Sequence, residues 1–158
     1  MRFYMRLITV SFSIYSKAID IKEIDRIMGI PDAELWYPPL PQYIDPAWNI
    51  DIYSTDISLE PALVKLESVL EPKMDYIMAL CRQDGIKSTV VIQIKAECYA
   101  ARPIISIPVS FFSFFEKLNA EVSFNVLYGE DLAGEYLADE ISDIWKNKAL
   151  KTGDSFTD

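Results

Sequence analysis

Residues 7–15 read L-I-T-V-S-F-S-I-Y, and this stretch decides the fold class. Apolar side chains alternate with polar ones along it, a period of two that is typical of a β-strand with one buried face. The segments 48–53, 87–100 and 122–128 show the same alternation. A further short strand at 104–107 is predicted as the antiparallel neighbour of the 87–100 strand. The sequence therefore predicts a mainly antiparallel sheet.

Four helices are predicted between these strands, because apolar residues recur there at helical spacing. The first begins after Asp20, which can cap it, and ends before Gly29. The second and third cover 58–70 and 72–84. The fourth begins at Pro108 and presents four apolar residues on one face: Phe111, Phe114, Phe115 and Leu118. An α+β fold with helices packed on one face of the sheet follows from this order.

The domain organisation divides the chain at residue 128. Residues 1–128 are predicted to form one α+β domain, and residues 129–158 an acidic C-terminal helix and a frayed tail packed on the same domain. The strand and helix outline of 7–29 recurs at 104–119, which would suit a duplicated ferredoxin-like βαβ plan.

The composition excludes several functional classes. The chain has 24 acidic and 15 basic residues, a net charge of −9 and no histidine. A negative surface repels nucleic acid and attracts a basic protein, whereas the lack of histidine removes the commonest general base and metal ligand. Apolar stretches fall short of the roughly 20 residues that a membrane helix needs. We therefore expect a cytoplasmic binding protein, not an enzyme, with no metal, cofactor or membrane partner.

No group in the sequence has the pattern of a catalytic residue. The carboxylate pairs Asp20/Glu23 and Asp139/Glu140 could do acid–base chemistry, but helix capping explains the first pair and a solvated face the second. Cys81 and Cys98 have neither redox nor metal spacing. We predict two buried, reduced thiols rather than a disulfide.

A loop rich in proline and aromatic residues is predicted at 33–48. Residues 34–48 of it read E-L-W-Y-P-P-L-P-Q-Y-I-D-P-A-W. The favoured interpretation is a structural flap, in which Trp36, Tyr37 and Trp48 fold back over the helical layer. The alternative is a rigid loop that supplies binding anchors, because Trp and Tyr are enriched among interface hot spots. Trp36, Tyr37 and Tyr43 are the candidate anchors.

An acidic segment at 130–143 carries six acids and no base. One interpretation is a solubilising helix face. The other is a decoy surface for a cationic partner such as a nuclease, since carboxylates can mimic phosphate at such a site. For this second interpretation the candidate contact residues are Asp131, Glu135, Asp139, Glu140 and Asp143.

Several segments resemble a bacterial family known only as domain of unknown function 4279, over residues 1–128. They are the opening strand with F-S-I, the helix I-D-I-K-E-I-D-R-I-M-G-I-P, the tryptophan-bearing loop and the segment I-S-I-P-V-S-F-F-S-F-F-E-K-L-N-A-E-V-S-F-N-V-L-Y. The resemblance implies an α+β fold and no catalytic residues. In size, acidity and architecture the chain is also similar to immunity proteins that protect bacteria from contact-delivered toxins.

These observations together favour an immunity protein that occludes a cognate toxin domain, itself basic, with no catalysis of its own. The alternative is a small-molecule-binding or regulatory housekeeping domain with a pocket under the 33–48 loop, which would need convergent polar groups in an apolar cavity. An enzyme comes third and would need two carboxylates from different elements in one cleft.

Overall fold

The computed structural model describes residues 6–55, 58–96 and 106–128. These ranges contain five strands and four α-helices. In order they are β1 (Arg6–Ser16), α1 (Ile21–Met28), β2 (Glu34–Trp36), β3 (Ala47–Ser54), α2 (Glu60–Leu70), a 3-10 turn (Glu71–Lys73), α3 (Met74–Leu80), β4 (Ile86–Ala96), α4 (Ser110–Lys117) and β5 (Ala120–Tyr128).

The strands form one sheet in the order β2-β3-β1-β4-β5. Central strand β1 is antiparallel to both β3 and β4, and β2 is antiparallel to β3, whereas β5 is parallel to β4. The predicted α+β class with a mostly antiparallel sheet is therefore confirmed. The strand predicted at 104–107 is wrong in its described part, because 106–107 is not a strand. β1 and β5 occupy the two sides of β4 instead.

The first four strands follow the ferredoxin-like plan of two interleaved βαβ units. β1 and β2 run in the same direction with β3 between them, and β3 and β4 run in the same direction with β1 between them. The second unit is therefore β3 to β4, not the 104–119 segment that the sequence suggested. The crossover through α4 then adds β5 as a fifth strand at the edge of the sheet.

A single hydrophobic core lies between the helices and one face of the sheet. Phe12 at the centre of β1 is fully buried and meets the ring of Trp48 edge-on, with ring centroids 6.2 Å apart. All four leucines of the predicted helix 58–70 are buried (Leu59, Leu63, Leu66 and Leu70), as are the four apolar residues predicted for the face of the fourth helix. Phe112 falls off that stripe and is exposed. Among the described residues, no helix is long and apolar enough to cross a membrane.

Local chemistry sets the ends of α1 as the sequence predicts. The Asp20 carboxylate accepts the backbone N–H of Lys22 at 3.0 Å, which satisfies one of the unpaired donors of the first turn. Gly29 ends the helix in the left-handed region, at φ 61°, where a side chain would be strained. The start of α2 is predicted less accurately, at residue 58. The helix begins at Glu60, its N-cap position is Leu59, and no side chain caps it.

The junction between α4 and β5 is held by side-chain hydrogen bonds to and from the segment that runs from the end of α3 to the start of β4. Asn119 adopts a positive φ of 51°, and its amide donates to the carbonyl of Cys81 at 2.9 Å. The Ser88 hydroxyl donates to the carbonyl of Leu118 at 2.7 Å. The Arg82 guanidinium donates to the carbonyl of Lys117 at 3.0 Å. These bonds satisfy the last carbonyls of α4 and fix where β5 starts beside β4.

Candidate functional site

Five large apolar side chains are exposed at the end of β2 and along the loop that follows it. Tyr43 is the most exposed, at 78%, and Trp36 the least, at 42%. We call this group the aromatic loop surface: Trp36, Tyr37, Leu40, Tyr43 and Ile44. Aromatic residues at this exposure leave apolar area in water that a partner could cover.

The pairing of β2 with β3 decides which way the start of this loop faces. Leu35 lies opposite Trp48, so it shares the core side of the sheet and packs against the core. Successive side chains of a strand point to opposite faces, so Trp36 lies on the face that points away from the core. Two residues later Pro38 is buried, which holds the loop down between the exposed Tyr37 and Leu40.

Backbone and ionic contacts fix the rest of the loop. The carbonyl of Leu40 accepts the N–H of Tyr43 at 3.1 Å and closes a turn. On the return to β3, the carbonyl of Pro46 accepts the N–H of Ser16 at 3.0 Å. The Lys17 ammonium lies 3.3 Å from the Asp45 carboxylate. The aromatic residues are therefore mounted on a loop tied to the end of β1.

The flap interpretation of residues 33–48 is wrong for two of its three aromatic residues. Trp36 and Tyr37 are exposed and do not fold over the helical layer. Trp48 is fully buried, but as a core residue of β3, where its indole Nε1–H donates to the Asp25 carboxylate at 3.0 Å. The segment is also not all loop, since β2 forms inside it beside β3. An edge strand can precede proline because proline removes no ladder bond there.

The second feature is a network of polar side chains. It lies on the face of the sheet that points away from the core, and we call this face the polar face. The Asp51 carboxylate accepts the hydroxyl of Ser11 at 2.5 Å and the amide of Asn49 at 3.0 Å. The Ser13 hydroxyl in turn donates to the Asn49 side-chain oxygen at 2.6 Å. Beside Ser13 on β4, the hydroxyl oxygen of Thr89 is buried and has no hydrogen-bond partner among the residues that the structure describes. Sequence reasoning missed this network, because only the register brings its members together.

The contacts of Asp51 on the polar face are those of a hydrogen-bond network between strands. Asp51 receives hydrogen bonds from neutral donors on β1 and β3, and a carboxylate so engaged holds strands in register rather than moving protons. Among the described residues, no three or more carboxylate, thiol or imidazole groups come together to hold a metal ion. The chemistry available on this face is therefore hydrogen bonding.

The other candidate reactive groups of the described chain have structural roles. Asp20 caps α1, and the Glu23 carboxylate binds the Arg26 guanidinium, whose hydrogen bond lowers the pKa of Glu23. Burial raises the pKa of the Cys81 thiol to about 11, so it stays protonated and unreactive at neutral pH. The prediction of a buried reduced thiol is confirmed for Cys81, which is free. Cys98 lies outside the described residues.

The acidic half of the predicted contact surface lies outside the described residues. It comprises Asp131, Glu135, Asp139, Glu140 and Asp143, and their role stays a prediction. The structure therefore shows Trp36, Tyr37 and Tyr43 of the predicted set exposed within residues 36–44, and Leu40 and Ile44 of the same segment are exposed as well. The two added residues could have been found from the sequence, since both are large apolar residues between prolines that cannot join a helix or a central strand.

The comparisons with known proteins find no match for this chain. No family model, no curated protein and no solved structure matches it.

Proposed function

We propose that this protein is a non-catalytic immunity protein, which binds a cognate toxin domain and neutralises it by occlusion. The observation that carries the proposal is the aromatic loop surface, five exposed large apolar side chains on a loop held at both ends. Exposed apolar side chains that are concentrated in one segment are typical of an interaction site.

The fixed backbone of the loop supports a binding role on energetic grounds. Ordering a mobile loop on association costs free energy, and a loop already held by the Lys17–Asp45 ion pair and the turn at Leu40 avoids part of that cost. Tyr and Trp have few rotatable bonds for the area they cover, so they bury much surface for little entropy. The aromatic loop surface therefore suits an interface anchor.

The charge of the chain supports a basic partner. With 24 acidic against 15 basic residues, the chain attracts a cationic toxin domain and repels nucleic acid. The acidic residues Asp131, Glu135, Asp139, Glu140 and Asp143 are the proposed electrostatic contacts of that partner. Their contribution is expected mainly in the association rate and in its salt dependence, whereas the aromatic anchors set the dissociation rate.

The test begins with the gene directly upstream of that of this protein, where the proposal expects a toxin-like reading frame, and uses its product. Growth of cells that express the toxin is measured with and without this protein, and the dissociation constant is measured with purified components. We expect Trp36→Ala combined with Tyr43→Ala to raise the dissociation constant about 30-fold or more, because truncating hot-spot aromatics costs about 2 kcal/mol. Protection of growth should fail in parallel.

The matched control is Phe112→Ala, which truncates an equally exposed aromatic residue on α4, away from the loop. It should leave the dissociation constant and protection unchanged. Equal weakening by both variants, or none by either, would exclude the aromatic loop surface as the interface. Absence of both binding and protection with the wild-type protein would overturn the immunity function itself.

A further inference from the structure

The sheet ends at β5, a strand of nine residues. Among the described strands, β5 has a neighbour on one side only, the parallel strand β4. Alternate residues of a strand direct their backbone N–H and C=O groups to opposite sides, so about half of those of β5 point away from β4. An edge of this length is a template for pairing with another strand.

The side chains of β5 are arranged symmetrically about Phe124. Residues 122–126 read V-S-F-N-V, with a valine two residues before and after Phe124 and a small polar residue on each side of it. Phe124 shares the core side of the sheet with Ile92, its partner on β4, yet Phe124 is 50% exposed whereas Ile92 is fully buried. The centre of the symmetric segment thus carries exposed apolar area.

We propose that two copies of this chain pair antiparallel through β5, with the two-fold axis at Phe124. The five-stranded sheets of the two copies then form one continuous sheet. A two-fold interface requires a self-complementary surface, and a segment with a symmetric pattern of apolar and polar residues satisfies that requirement. The partner of this surface is therefore a second copy.

The pairing matches like with like on both faces of the sheet. On the core side, Phe124 lies opposite Phe124 of the second copy, and Val122 lies opposite Val126. On the other side, Ser123 lies opposite Asn125, whose side chains can form hydrogen bonds across the strands. Aromatic and β-branched cross-strand pairs of this kind stabilise antiparallel sheets.

The charges also suit self-association, although the chain as a whole is acidic. Glu121 is the one charged residue of β5, and its carboxylate lies 3.6 Å from the Lys87 ammonium of the same copy. In the proposed register it lies opposite Leu127 of the second copy, in a row that continues to Lys95. No acid of β5 therefore faces another acid, and each Glu121 has Lys87 of its own copy nearby and shares a row with Lys95 of the second copy.

The first experiment measures the mass of the full chain in solution by light scattering and sedimentation across a range of concentrations. We expect a dimer in the wild-type protein. Phe124→Lys removes the central aromatic pair and places two like charges opposite each other, so the dimer dissociation constant should rise about tenfold or more. The matched control is Val64→Lys, a change at an exposed apolar residue of α2, which should leave the dimer intact.

The second experiment keeps Phe124 and tests the register. Ser123→Cys and Asn125→Cys proteins, each with Cys98→Ser, are oxidised separately and as a mixture, while buried Cys81 stays inert. Because position 123 lies opposite position 125, the mixture should form disulfide-linked dimers faster than either protein alone.

Three outcomes would overturn the proposal of β5 pairing. A wild-type protein that is monomeric at all concentrations shows that the β5 edge does not bind a second copy. A dimer that Phe124→Lys leaves unchanged uses another surface, and cross-linking without preference for the mixture excludes the register. None of these results depends on the toxin, so they are separate from a failure of the proposed function.

Discussion

The two faces of the sheet use the same strands for different purposes. On the core side, Phe12 of β1 and Trp48 of β3 are fully buried and touch, so this face contributes apolar area removed from water. On the polar face, one residue further along each strand, Ser13 and Asn49 share a hydrogen bond. The same ordered strands thus pack apolar side chains on one face and form side-chain hydrogen bonds on the other.

The difference between the faces indicates where the stability of the protein resides. Net stabilisation from a hydrogen bond is about 1 kcal/mol, because the unfolded chain makes equivalent bonds to water. Burial of a large apolar side chain contributes more, and its loss also leaves a cavity. The core face should therefore dominate the free energy of unfolding, and the polar face should mainly specify register.

The largest expected effect comes from neighbouring residues of β1 that lie on opposite faces. Phe12→Ala should lower the free energy of unfolding by about 3–5 kcal/mol, since it removes a fully buried ring and its contact with Trp48. Ser11→Ala should lower it by about 1 kcal/mol, because the Asp51 carboxylate keeps the amide of Asn49 as a donor. Urea unfolding of both variants measures the difference. Equal losses would contradict the division between the faces.

A smaller effect should separate two tryptophans that differ in burial. Trp48→Phe should lower the free energy of unfolding by about 2 kcal/mol, because Asp25 loses the indole donor and the smaller ring leaves space in the core. The matched change Trp36→Phe, at an exposed residue, should stay within about 0.5 kcal/mol. Thermal and urea unfolding of the two proteins provide the measurement. A destabilised Trp36→Phe protein would show that Trp36 is a packing residue rather than a binding anchor.

The sequence predicts the features of this fold that depend on local pattern. The spacing of Phe111, Phe114 and Phe115 predicts α4, and the Asp20 and Gly29 signals predict the ends of α1, because each relies on neighbours within one or two turns. The alternation of β1 likewise predicts which side chains are buried. These elements are specified by short-range chemistry.

The features that depend on distant pairing are the ones that the sequence did not predict. β2 forms beside β3 although prolines follow it closely, and β4 pairs with the parallel strand β5 where the sequence predicts an antiparallel neighbour at 104–107. The polar network at Asp51 arises from register between β1 and β3, which no local signal encodes. The exposure of Tyr37 agrees with the binding-anchor interpretation of the loop and not with the flap interpretation, which relied on the tendency of aromatic residues to be buried.

The smallest expected effect on the free energy of unfolding concerns Thr89, a residue of β4 on the polar face. Its hydroxyl oxygen is buried without a hydrogen-bond partner among the described residues, a condition that costs free energy in the folded state. Thr89→Val keeps the shape and replaces that hydroxyl by a methyl group, so it should raise the free energy of unfolding by about 1 kcal/mol. The matched change is Thr9→Val on the polar face of neighbouring β1, because the Thr9 hydroxyl is not one of the buried oxygens that lack a hydrogen-bond partner in the described part of the chain. Unfolding in urea should show a gain for the first variant and a change within about 0.5 kcal/mol for the second, whereas a loss of stability in Thr89→Val would show that its hydroxyl contributes to the network beside Ser13.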